Sequence, residues 1–200
     1  MTKPRASDSE WLQWIEVQKA ATRAWIGSGD LSGAIAILDR FLTSDPPLDL
    51  RRDAIAFRGS LHQEEKDLRA ATLDYLNALA IAEEQGLEHY SLETSLAEVC
   101  AQSGDRQGAE RWCWAALKTA AADPRESGAG ALLRLLGLRG KQGLRPEERP
   151  LVEKVVRQSW HLLRVEGQPD LEDLGATARK LIEAQKGPFS AERPPIPRAF

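Results

Sequence analysis

Three histidines, two cysteines and a cluster of carboxylates are the side chains whose types could do chemistry in this sequence. His62, His89 and His161 are scattered, so no pair sits at the spacing of a general base with its partner or of a metal site. His62 reads as a packing residue. Cys100 and Cys113 fall on what the turn pattern makes opposing helices, where they could face each other as a redox pair. Small apolar packing accounts for them equally well, since no electropositive activator is in view. Two cysteines are too few for a disulfide scaffold and lack the paired spacing of a zinc site. Glu64, Glu65 and Asp67 gather at a turn, where capping and solvation explain them. The chain carries no Gly-rich phosphate loop, no His-Glu metalloprotease motif and no G-x-S-x-G elbow. No catalytic residue, cofactor or metal is therefore assigned, and the chain reads as a non-enzyme.

The elements that must position these residues are helices. Ala and Leu dominate, β-branched residues are sparse, and no alternating run of strand type is sustained. With 42% hydrophobic and 28% charged residues, the chain can bury a core and stay in solution. The stretch "MTKPRASDSEW" has two basic residues but no apolar h-region, and no run approaches the roughly eighteen apolar residues that span a bilayer. A soluble, cytoplasmic protein without membrane contact is expected. The formal net charge of −3 conceals an asymmetry: Ser7 to Asp105 carries 18 acidic and 8 basic residues, whereas Arg106 to Arg164 carries 12 basic and 6 acidic. Such polarity can steer a charged partner or simply reflect solvated helix faces.

Three segments repeat: "GDLSGAIAILDRFL" from Gly29, "KDLRAATLDYLNAL" from Lys66 and "GDRQGAERWCWAAL" from Gly104. Each has an Asp followed four residues on by an Ala, and Ala34, Ala71 and Ala109 recur at intervals of 37 and 38 residues. A period of this size signals stacked repeats. Gly29 and Gly104 can take the left-handed conformation that ends a helix, while Asp30, Asp67 and Asp105 can cap the next one. Thr22, Gly59 and Ala97 lie twelve residues before the anchoring alanines and let antiparallel helices approach closely. The second helices then present Ile35, Leu38, Phe41 and Leu42; Thr72, Tyr75, Ala78 and Leu79; and Cys113, Ala116 and Leu117, with Glu110 a misfit expected to point outward. Pro46, Gly86 and Pro124 mark the ends of the units.

This pattern resembles the tetratricopeptide repeat family over residues 12 to 124. The matching positions are Thr22, Ala34, Leu38 and Pro46; Gly59, Ala71, Tyr75 and Ala78; and Leu96, Ala97, Ala109 and Ala116. The period is about one helical turn longer than the family's, and Lys66 replaces a turn glycine. The resemblance implies an all-α, right-handed superhelical array of antiparallel hairpins, a TPR-like α-solenoid. The expected organisation is a flexible N-terminus over 1–7, three hairpins over 8–125, a degenerate fourth hairpin and capping helix over 126–186, and a Pro-rich tail over 187–200. The capping helix would bury Leu171, Leu174, Ala178, Leu181 and Ile182. The tail, "PFSAERPPIPRAF", could dock into a partner or its own groove, or simply fray.

In such an array the first helices line a concave groove suited to a peptide or partner helix. The family register places Glu16, Lys19, Arg23, Asp53, Ser60, Gln63, Thr94 and Glu98 on that wall. The family's carboxylate clamp for chaperone tails is matched only by Lys19, with Arg23, Phe57, Ser91 and Ser95 at the other positions, so that partnership is disfavoured. Trp11, Trp14 and Trp25 read as an N-terminal core. Trp112 and Trp114 diverge by roughly 200° around a helix; Trp112 fits the Ala109 side, leaving Trp114 as a surface anchor or an inter-repeat packing residue. The function expected is a protein-binding module, an adaptor, assembly factor or chaperone-like protein, in a sharper version escorting a dedicated bacterial toxin or secretion substrate. The alternative is nucleic-acid binding through the basic segment 106–164, with Arg125, Arg134, Arg139, Lys141, Arg145 and Arg149 on phosphates and Trp112 and Trp114 stacking bases.

Overall fold

The computed structural model describes residues 6–159 except 124, 125, 127 and 141–143. Helix α1 (Asp8–Thr22) starts at Ser7, whose side chain accepts from the Glu10 amide while the Ser7 amide donates back to Glu10 at 2.7 Å. This reciprocal capping satisfies two of the amides that a helix start leaves open. The Ala6 amide donates to Asp49 at 3.2 Å. A π-helical turn, Arg23–Gly27, follows, and then α2 (Leu31–Thr43), α3 (Leu48–Glu64), α4 (Leu68–Gln85), α5 (Tyr90–Gln102), α6 (Arg106–Ala122) and α7 (Ala129–Arg139). A short 3-10 turn, Pro146–Glu148, leads into α8 (Arg149–Ser159). No strand occurs among the described residues, as the composition predicts. The expected capping helix with Leu171, Leu174, Ala178, Leu181 and Ile182, the Pro-rich tail and Pro124 lie outside the described residues.

The repeated turn has one construction at three places. Gly29, Lys66 and Gly104 all take the left-handed conformation, at φ of 69°, 67° and 82°. The Asp that follows each accepts from an amide three residues on: Asp30 from Gly33 at 2.8 Å, Asp67 from Ala70 at 3.0 Å and Asp105 from Gly108 at 2.8 Å. Each carboxylate thus satisfies a donor of the helix it opens. Gly86 ends α4 in the same left-handed manner, at φ 63°.

The first turn departs from the second by one residue. At the second turn the Asp67 amide donates to the His62 carbonyl, five residues back, whereas at the first the Asp30 amide donates to Ala24, six back. The π-helical turn holds the extra residue, because its wider coil takes one more residue per turn. Burial shifts accordingly: Ala21 is fully buried and Thr22 only half-buried. The small packing residue of the first unit is therefore Ala21, not Thr22.

The chain divides into two compact units, Met1–Ala109 and Glu110–Phe200, with the division inside α6. In the first, each of α1 to α4 packs on the helix that follows it. Trp14, Ala34, Leu38, Phe41, Leu50, Ala54 and Leu61 form a shared core. The Trp14 ring stacks on Phe41, with centroids 5.1 Å apart and planes at 27°. The most extensive pairing is α3 with α4, and Gly59 permits it: a Cβ there would lie 3.0 Å from the Tyr75 ring and 3.2 Å from Asp74. Arg58 ties three helices together, donating to buried Asp74 on α4 at 2.6 and 2.9 Å and to Asp39 on α2 at 2.6 Å. The Asp74 hydrogen bond is the main reason its guanidinium is held above its ordinary pKa.

In the second unit Ala116, Leu117, Leu132, Leu135, Val152 and Val155 are buried. Gly128 sits so close to Val155 that a Cβ would approach its methyl to 2.3 Å. Arg139, only 5% exposed, donates to both Glu110 and Glu148. Glu110 therefore does not point out to solvent, as its place in the repeat suggests. It turns to Arg139, because a buried guanidinium is costly without carboxylate partners.

Candidate functional site

A cleft of about 510 Å³ opens in the first unit, lined by Ile15, Gln18, Lys19, Thr22 and Arg23, with Phe57 of α3 opposite. Helical spacing builds its α1 wall: Ile15, Lys19 and Arg23 are four apart, as are Gln18 and Thr22, so both rows share one face. Phe57 is steadied from behind by Trp25, whose ring lies 6.3 Å away at 57°. The cleft thus has an apolar floor and a cationic edge. Lys19 Nζ donates to Glu16 at 2.8 Å, and that hydrogen bond together with the adjacent charge holds the Glu16 carboxyl below its usual range. Arg23 is exposed and forms no ion pair among the described residues. It also begins the π-helical turn, a distortion frequent at functional sites.

Of the residues assigned to the groove wall, the structure brings Lys19 and Arg23 into this cleft with Glu16 beside them. Gln63 accepts from the Tyr75 hydroxyl at 3.0 Å, so it also joins α3 to α4. Asp53 is paired with its neighbour Arg52 at 2.6 Å, and Ser60 donates to the Phe57 carbonyl at 2.7 Å. On α5, Thr94 donates to the Ser91 carbonyl at 2.8 Å, and Glu98 accepts from Gln102 at 3.3 Å. Trp114 belongs to the second unit. The buried Arg139 lies 5.4 Å over the half-buried Trp114 ring, so this tryptophan makes a cation–π contact within its own unit. Trp112 is half-buried.

Ile15 and Gln18 are wall residues that the repeat pattern does not pick out, while Thr22, which it picks out for helix packing, lines the cleft instead. The signal for the first two is the four-residue spacing of Ile15 from both Trp11 and Lys19, visible only once α1 is read as exposing that face. Of the three N-terminal tryptophans, Trp14 is buried and Trp25 half-buried, but Trp11 is 40% exposed, as is its neighbour Leu12 at 65%. His62 lies between carboxylates, 3.9 Å from Asp74 and 3.8 Å from Glu65. Among the described residues, no group of three or more His, Cys, Asp or Glu side chains could hold a metal ion. No helix among them is long and apolar enough to cross a membrane. No family model, curated protein or solved structure matches this chain.

Proposed function

We propose that this chain is a TPR-like helical-repeat protein of the cytoplasm that binds another polypeptide, acting without catalysis as an adaptor, assembly factor or chaperone-like module. Its binding surface is the groove walled by the first helix of each hairpin. The observation that carries this reading is the cleft between α1 and α3, where Arg23 stands without an ion pair beside Lys19, Ile15 and Phe57. An apolar floor with an adjacent cation suits an anchoring side chain flanked by a polar or acidic group. Further support comes from the recurrence of the left-handed turn and capping Asp at three places, which is the local chemistry of a stacked-hairpin array. The reading includes an escort for a dedicated toxin or secretion substrate.

The test is capture from the native host with the full chain and with Arg23→Glu. Arg23 is the better probe than Gln63, because Gln63 also supports the α3–α4 packing through Tyr75. The wild type should retain a stoichiometric protein partner. Arg23→Glu should lose it about tenfold or more in affinity, with its circular dichroism and melting temperature unchanged. Equal retention by both proteins, or cross-links from the partner that avoid α1 and α3, would refute the site.

A further inference from the structure

The face of α4 turned away from its packed side leaves two leucines exposed. Leu73 and Leu76 are 55% and 39% exposed, on a helix whose other side is packed through Ala71, Tyr75, Ala78 and Leu79. At helical spacing they fall in one stripe with Arg69, Asn77, Ala80 and Glu84, all exposed. The stripe reads, from the start of α4 to its end, cation, leucine, leucine, alanine, anion.

The order of these charges is the informative part. A helix favours anions at its N-terminus and cations at its C-terminus. Here the first turn has no acidic residue and the last turn no basic one. Asp67 caps the start of α4, but Arg69 stands in its first turn and Glu83 and Glu84 in its last, each against the helix dipole, and none of these three forms an ion pair among the described residues. An antiparallel copy of the same helix would bring an opposite charge to Arg69 and to Glu84 at once. With the two-fold axis between Leu76 and Asn77, Arg69 of one copy meets Glu84 of the other, Leu73 meets Ala80, and Leu76 meets Asn77. Large residues then face small or polar ones, and each helix gains a second carboxylate near its N-terminus, beside Asp67, and a guanidinium near its C-terminus. Such a contact is self-complementary and closes at two copies.

We propose that the exposed stripe of α4 is the interface of an antiparallel homodimer, formed by a second copy of this chain and held by reciprocal Arg69–Glu84 pairs around Leu73 and Leu76. Analytical ultracentrifugation of the full chain over a concentration series tests it. A reversible monomer–dimer equilibrium is expected. Arg69→Glu and Glu84→Arg should each weaken the dimer about tenfold, because two ion pairs become two repulsions. The double variant Arg69→Glu/Glu84→Arg should restore it towards wild type. Leu76→Glu should abolish it while leaving the circular dichroism and melting temperature of the monomer unchanged. A monomeric mass at the highest soluble concentration overturns the proposal, whether the face is then bare or taken by another protein. So does a dimer that the single charge reversals leave intact, or one that the double variant fails to restore. Because the groove lies on first helices and this stripe on α4, loss of the dimer and loss of the groove partner are separate results.

Discussion

Lys66 occupies a backbone position built for glycine. Its φ of 67° matches the 69° and 82° of Gly29 and Gly104 at the corresponding turns, and an L-residue with a Cβ crowds its own carbonyl there. Lys66→Gly should therefore stabilise the chain by about 1 kcal/mol, whereas Lys66→Ala, which keeps the Cβ, should change it little. Denaturant midpoints of the two variants decide this; equal midpoints would mean that the turn carries no strain. Tyr75 makes a second prediction at this scale. Burial pushes its phenol up to about 12 from 10, only partly offset by a hydrogen bond with Ser95. A raised folded-state pKa means that the folded chain holds the proton more tightly, so this contribution is complete below pH 10 and is lost as pH rises towards 12. Tyr75→Phe should cost about 1 kcal/mol at neutral pH, through the lost bond to Gln63, and should flatten the alkaline decline. Urea unfolding at pH 8 and in the alkaline range separates the two effects.

Helix α3 meets α4 closely because Gly59 offers no side chain, and this is where a hairpin is easiest to pry apart. A bare Cβ would already press on the Tyr75 ring at 3.0 Å, and Asp74 beside it is held by Arg58 and has little room to retreat. Gly59→Leu should destabilise the chain by about 2 to 3 kcal/mol, although leucine is the better helix former, because overpacking outweighs propensity. Thermal melts would show it, and an unchanged melting temperature would mean that α3 and α4 can separate freely. Much at this scale was legible in the sequence, since caps are local: an Asp and the amide three residues on lie within one turn of chain, so Asp30, Asp67 and Asp105 announce their helices. The close approach at Gly59 was legible for the same reason, as a small residue at fixed distance from a cap. The π-helical turn was not, because nothing in Arg23–Gly27 demands a wider coil, and that single extra residue exchanged the roles of Ala21 and Thr22. Nor was the bond from Arg139 to Glu110, which joins residues 29 apart through packing rather than through any local rule. In the candidate site the cations were found by register, but Ile15 and Gln18 emerged only from the face that α1 leaves uncovered.

For the whole molecule, the charge asymmetry raises the question of nucleic acid. The segment from Arg106 to Arg164 holds 12 basic and 6 acidic residues, yet phosphate binding needs cations that are free to meet a backbone. Arg139 is buried between Glu110 and Glu148 and lies over Trp114, which removes a cation and a stacking surface together. Arg145 is exposed but lies 3.7 Å from Glu148, and Arg134 and Arg149 make interactions within the chain. Arg125 and Lys141 fall outside the described residues. Burial alone would raise the Glu148 carboxyl, but the bonds from Arg139 and from the Arg145 amide outweigh it and hold the pKa below its usual value. That carboxylate therefore stays charged and opposes an incoming phosphate. The full chain should leave both single-stranded and duplex oligonucleotides unshifted in gels at low salt, where any phosphate contact would be strongest. A shift that fades steeply with added salt would instead show that the exposed cations Arg106, Arg111, Lys118 and Lys154 suffice, and would move the binding surface from the groove to the basic half.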